Sequence, residues 1–219
     1  MQSASLLKGT AMTSSEFPVP KPGPRRPTTP HEPAENLGDV ADGNAGEHVV
    51  HGSPRVVLVG PPGAGKSTIG RRLARAMNLP LVDSDELIAQ GEGKPTGEVY
   101  SELGEERFRE VEAEYVARSL ASGGVVSLGG GAVVTESTRQ LLLAHTVVWI
   151  DVSVEEGVRR TSGNDSRPVL NAEDPVEHYR SLLETREPFY REVAMHRVRT
   201  DSRPPQRLVA EILHLIESR

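Results

Sequence analysis

The sequence predicts a three-layer α/β fold, with helices covering both faces of a doubly wound, five-stranded parallel sheet. Three observations predict it. Five short apolar, largely β-branched runs lie at residues 55–59, 81–85, 123–128, 146–152 and 196–200, and helical patterns separate them. The first run leads straight into a glycine-rich turn and then a helix. No internal repeat suggests a solenoid, and no apolar run approaches the roughly 18 residues that a membrane-spanning helix needs.

Composition narrows the function. A chain of 219 residues is long enough for one good core plus a tail. A net charge of −6 argues against a nucleic-acid backbone or an anionic membrane as partner. With no cysteine, disulfides, thiolate metal sites and cysteine nucleophiles are excluded. The seven histidines show no close ligand spacing beyond His48 and His51. A small molecule is the expected partner, with neither nucleic acid nor membrane; the absence of cysteine is compatible with the expected cytoplasmic location, and a monomer is expected.

Residues 1–53 read as a disordered, proline-rich tail. Eight of the 17 prolines fall in residues 1–54, where Phe17 is the only aromatic and no apolar period appears. Two readings fit: a dispensable leader, or a start codon placed too far upstream. The folded domain is expected over 54–219.

Arg55-Val56-Val57-Leu58-Val59 reads as a buried parallel strand. The stretch Gly60 to Thr68, GPPGAGKST, then matches G-x-x-x-x-G-K-[ST] with Gly60, Gly65, Lys66 and Ser67 in the fixed positions. Ile69, Leu73 and Met77 recur every fourth residue and give the following helix one apolar face. In that order, glycines turn backbone N–H groups inward and the helix N-terminus adds partial positive charge at the same point. Lys66 can reach the β- and γ-phosphates, and the Ser67 hydroxyl can ligate Mg²⁺. A nucleoside triphosphate is the expected ligand.

Asn78 and Pro80 end this helix, and Leu81 to Asp85 reads as a short strand closing on two carboxylates. Alternation along a strand would aim Asp83 and Asp85 to one side, at the edge where open α/β sheets bind ligands. A helix follows from Glu105 to Leu120, with Phe108, Val111, Tyr115 and Ala113 or Val116 buried and Gly123-Gly124 as its stop. The next strand runs into Gly129-Gly130-Gly131, whose N–H groups can face an anion. Ser127 stands where many phosphate-loop enzymes carry a metal-linked aspartate, so metal support is assigned to Asp83 through water.

Thr135 to Ala144 is a predicted helix and Thr146 to Val152 a strand, and Ser153-Val154-Glu155-Glu156 is a capping box. The helix it opens carries Arg159 and Arg160 toward the polar loop Gly163 to Pro168, which has a lid's composition; the lid is expected over about 161–174. Asp174-Pro175 starts a helix bearing Arg186 and ending at Glu187, where Pro188 breaks it. His196 to Thr200 is the last strand, and Leu208, Ile212 and Ile216 line the final helix.

Taken together, GPPGAGKST, DSD, FREVE, SLGGGA, RPVL, TREPFYREVA and Arg203 resemble the shikimate kinase family across residues 55–217. The resemblance implies a P-loop fold of the nucleoside-monophosphate-kinase type with a lid, and transfer of the γ-phosphoryl of ATP to the 3-hydroxyl of shikimate. It implies that Gly63, Ala64, Gly65, Lys66, Ser67 and Thr68 cradle ATP, with Mg²⁺ on Ser67 and, through water, Asp83. Asp85 would hold the acceptor hydroxyls and take the proton. Arg109 and Arg186 would grip the acceptor carboxylate beside Gly129, Gly130 and Gly131. Arg167 would reach the transferring phosphoryl from the lid, and Arg160 and Arg203 would flank the nucleotide. The catalytic set is thus Lys66, Asp85 and Arg167.

Two rival readings stay open. A kinase for gluconate or a nucleoside monophosphate would use the same phosphate loop, because paired arginines and glycine N–H groups suit a phosphate almost as well as a carboxylate. A nucleotide-dependent switch would lack an acceptor pocket.

Overall fold

The computed structural model describes residues 52–162 and 174–218. Five strands form one sheet in the order β2-β3-β1-β4-β5: β1 (Val56–Val59), β2 (Leu81–Asp83), β3 (Val125–Ser127), β4 (Val147–Asp151) and β5 (His196–Arg199). All four pairings are parallel, and β1 and β2 both meet Ser127, through Leu58 and Asp83 respectively.

Alternation along β1 divides the core into two layers. Val56 and Leu58 face α1 (Lys66–Met77) and α7 (Pro205–Glu217), where Ile69, Leu73, Leu208, Ile212 and Ile216 close the layer. Val57 and Val59 face α3 (Thr96–Leu120) and α4 (Glu136–Leu142), with Val116, Leu120 and Leu142 beneath them. The helix after β1 therefore lies on one face and the helix after β3 on the other. The crevice between these adjacent strands opens at their carboxyl ends, where doubly wound sheets bind ligands.

Three predicted elements are corrected. β2 stops at Asp83, and α2 (Ser84–Glu92) begins at once, so Asp85 stands in a helical first turn rather than on a strand. The Asp83 carboxylate accepts from the Asp85 N–H at 3.1 Å, and this N-cap bond outweighs extension of a three-residue strand. The helix expected from Glu105 starts earlier, at Thr96, and Gly104 (φ 72°, ψ 170°) separates its two arms. Finally, α6 (Pro175–Val193) runs through Pro188. Pro188 is exposed, so water can serve the Glu184 carbonyl it leaves unbonded, while buried Tyr190 and Val193 hold the next turn in place.

The capping box before α5 (Val154–Thr161) forms by half. Ser153 Oγ accepts from the Glu156 N–H, but the Glu156 carboxylate turns to Arg159 and Arg160, and the Ser153 N–H donates to Asp201. Among the described residues no helix is long and apolar enough to cross a membrane.

Candidate active site

The turn after β1 needs glycine for steric reasons at its first position. Gly60 (φ 145°) passes so close to β4 that a Cβ there would lie 2.1 Å from the Ile150 carbonyl oxygen. Gly65, also at positive φ, is the N-cap of α1 and offers no side chain, so the first-turn N–H groups stay open to an anion. Lys66 folds back on this loop, its Nζ donating to the carbonyls of Gly60 at 2.8 Å and Pro61 at 3.1 Å. Ser67 Oγ donates to Asp83 Oδ2 at 2.8 Å, which brings the two expected metal ligands together. Both present hard oxygen atoms of the kind that suits Mg²⁺, Ser67 as a direct ligand and Asp83 through water, for an ion that keeps waters and phosphate oxygens in its other positions.

The acceptor side is built on α2, α3, α6 and the turn after β3. Asp85 and Glu112 approach Gly129 so closely that a Cβ there would lie 2.5 Å from Asp85 Oδ1 and 3.0 Å from Glu112 Oε1. Arg109 comes across from α3 to Gly131, where a Cβ would meet its Nη1 at 2.2 Å. Arg186 reaches from α6 and donates to the Gly130 carbonyl at 3.1 Å. One cavity of about 380 Å³ is lined by Lys66, Ser67, Asp83, Asp85, Arg109, Gly130, Gly131 and Arg186. Sequence positions as far apart as 66 and 186 thus share a single chamber.

Glu112 is the member that sequence reasoning missed. The residue is 3 % exposed, and its carboxylate holds Arg109 Nη1 at 2.6 Å. Burial pushes this carboxyl above its ordinary range; the Arg109 guanidinium pulls it down and the Asp85 charge adds to the rise. Burial also pulls the Arg109 guanidinium down, but Glu112 and Glu105 outweigh that, so the arginine is held charged. The signal was present: position 112 falls on the stripe of Phe108, Tyr115 and Val116, where an unpaired carboxylate does not belong.

The glycine run differs from expectation in one donor. The Gly129 N–H donates to Ser84 Oγ at 2.9 Å, so only Gly130 and Gly131 keep N–H groups without a partner among the described residues. At the nucleotide rim, Arg160 donates to the Gly63 carbonyl at 3.3 Å and to Thr200. Arg203 is turned to the Arg199 carbonyl and Glu211. Arg167 lies outside the described residues. The chamber therefore offers a phosphate cradle at one end and two guanidiniums with two carboxylates at the other, an arrangement suited to moving a phosphoryl group onto a hydroxylated acid.

Comparison with known proteins agrees with this geometry. The family model described as shikimate kinase matches residues 62–217. A shikimate kinase of Corynebacterium efficiens is 71 % identical over 164 residues, which cover 75 % of this chain and 97 % of that protein. One of Corynebacterium glutamicum is 65 % identical over 164 residues, again 75 % of this chain and 97 % of the relative. A solved shikimate kinase of Acinetobacter baumannii, in complex with shikimate, superposes with a TM-score of 0.73 at 35 % identity, covering 76 % of this chain and 94 % of that one. The chain belongs to the shikimate kinase family.

Proposed function

We propose that this chain transfers the γ-phosphoryl of ATP to the 3-hydroxyl of shikimate, giving shikimate 3-phosphate and ADP on the route to aromatic amino acids. The observation that carries the reading is the shared chamber, in which the phosphate loop faces Asp85, Arg109 and Arg186. Phosphoryl transfer leaves little covalent work to the protein, so positioning and charge account for most of the rate.

The phosphate loop from Gly63 to Thr68 binds the triphosphate, and Lys66 leaves its loop carbonyls for the β- and γ-phosphates. Ser67, and Asp83 through water, hold Mg²⁺, which neutralises phosphate charge when bound. Arg109 and Arg186 bind the acceptor carboxylate. Arg109 is suited to this because its buried Nε has no hydrogen-bond partner among the described residues and its Nη2 contact to Glu105 is long, at 3.4 Å. A carboxylate can take both donors side by side. Asp85 holds the acceptor hydroxyl in line and accepts its proton at a carboxylate oxygen. Arg167 meets the transferring phosphoryl from the lid segment 161–174, and Arg160 and Arg203 flank the nucleotide. The kinase domain spans 54–219 and acts in the cytoplasm as a monomer on small molecules alone. The tail, 1–53, takes no part in catalysis.

The test is coupled ADP release with ATP and Mg²⁺, with and without shikimate. Release that depends on shikimate, and that gluconate and nucleoside monophosphates do not replace, is expected. Equal release without an acceptor would instead make the chain a nucleotide switch.

A further inference from the structure

Tyr179 and Tyr190 head the largest fully buried side chains among the described residues, and both stand on α6. Eleven residues separate them, about three helical turns, so they share one stripe of the helix. Tyr179 packs into the core layer of α1 and α7, and Tyr190 into that of α3 and α4, so α6 joins both layers. Neither hydroxyl is spent on the core. Tyr179 donates to the Pro62 carbonyl at 2.6 Å, and Tyr190 donates to the Gly130 carbonyl at 2.6 Å. One carbonyl belongs to the phosphate loop and the other to the acceptor loop. These two loops touch, because a Cβ on Gly130 would lie 3.0 Å from Pro62 Cδ.

A peptide unit is planar and trans, so fixing a carbonyl oxygen fixes the following N–H in the opposite direction. The Pro62 carbonyl thus sets the direction of the Gly63 N–H, and the Gly130 carbonyl sets that of the Gly131 N–H. Neither carbonyl lies in a strand or helix, so no ladder would otherwise orient it, and at Gly130 the Tyr190 bond is shorter than the 3.1 Å bond from Arg186 to the same oxygen. We infer that Tyr179 and Tyr190 are positioning residues: Tyr179 aims the Gly63 N–H at the nucleotide, Tyr190 aims the Gly131 N–H at the acceptor, and α6 fixes the spacing between the two. A second contact supports the first anchor. Tyr179 seats its ring against α5 at Gly157, where a Cβ would lie 2.3 Å from the phenol oxygen. Burial pushes the Tyr190 phenol up, so it remains a donor throughout the working range. The inference rests on the kinase reading above for the identity of the two ligands.

Tyr179→Phe and Tyr190→Phe keep the ring and remove only the donor. Tyr179→Phe is expected to weaken ADP binding and raise the ATP KM about fivefold, with the shikimate constants within about twofold. Tyr190→Phe is expected to do the reverse, and each variant should lower kcat about tenfold through misalignment. Calorimetric titration of ADP and of shikimate reads the two ends separately from turnover. A packing role alone would move both constants together, or neither, and either result overturns the inference. If Tyr179→Phe fails to fold, Gly157→Ala, which displaces the Tyr179 ring and leaves its hydroxyl present, must reproduce the nucleotide-side loss; failure of Tyr190→Phe to fold would show that its hydroxyl holds the core and would overturn the acceptor-side anchor. Absence of shikimate-dependent turnover in the wild type would refute the kinase reading instead, and the ADP titrations of Tyr179→Phe would still decide the phosphate-loop anchor.

Discussion

Ser67 and Asp83 are joined by a 2.8 Å hydrogen bond that ties the first turn of α1 to the N-cap of α2. The same carboxylate also receives the Asp85 N–H, so one side chain holds the metal-side hydroxyl and sets the acceptor-side carboxylate. In the proposed mechanism the two aspartates nevertheless face different tasks. Asp83→Asn is expected to raise the Mg²⁺ needed for half-maximal rate by about tenfold, since a neutral amide holds a hydrated cation poorly. Asp85→Asn is expected to abolish transfer while ADP·Mg²⁺ binding stays nearly unchanged. Mg²⁺ titrations of ADP binding that coincide for the two variants would end this division.

The Arg109 and Arg186 guanidiniums enter one cavity from separate helices, and in the proposed clamp removing either would leave an acceptor carboxylate under-compensated. A loss on the order of 2–4 kcal/mol is expected. Arg109→Lys and Arg186→Lys should therefore raise the shikimate KM by one to three decades while the ATP dissociation constant holds. Comparing shikimate with its neutral amide checks the clamp: wild type should discriminate strongly and each variant much less.

Gly131 has an ordinary φ of −99°, so alanine there strains no backbone. Its Cβ would instead strike the guanidinium of Arg109, at 2.2 Å from Nη1. Gly131→Ala is expected to keep its melting temperature within a few degrees and raise the shikimate KM at least tenfold, roughly 1.4 kcal/mol. Steady-state kinetics beside thermal melts will show whether the two separate in this way.

Glu156 binds Arg159 and Arg160, and the Arg159 bond, with help from Arg160, holds its carboxyl down at about 2. A depressed folded-state pKa contributes stability above the unfolded value of 4.5, and that contribution is lost as pH falls toward about 2. Wild type should thus exceed Glu156→Gln in stability at pH 5 and above, and the gap should close on acidification. Urea melts across this range read the gap directly; a gap that widened with acid would show that other groups dominate.

Removing residues 1–52 is expected to leave kcat/KM within about twofold, because the phosphate loop and every acceptor residue lie within residues 54–219. A loss beyond one decade, roughly 1.4 kcal/mol, would place the tail at the site.

What the sequence determined by itself was everything governed by local spacing. Alternation and β-branching set the five strands, the strand-glycine-helix order set the phosphate loop, and the four-residue period of Ile69, Leu73 and Met77 set the face of α1. The motifs also named both arginines. What the structure decided was settled by competition for partners, local in one case and between distant groups in the others. A cap bond won over two more strand residues and turned Asp85 onto a helix. The burial of Tyr190 and Val193 carried α6 past Pro188, which propensity alone would have ended. Ser84 took the Gly129 N–H that an anion was expected to use. Glu112 became part of the site because α3 packs its apolar stripe against the glycine turn, leaving Arg109 as the charge able to compensate it. Which buried donor meets which carbonyl depends on how the layers close, and no local period encodes that closure.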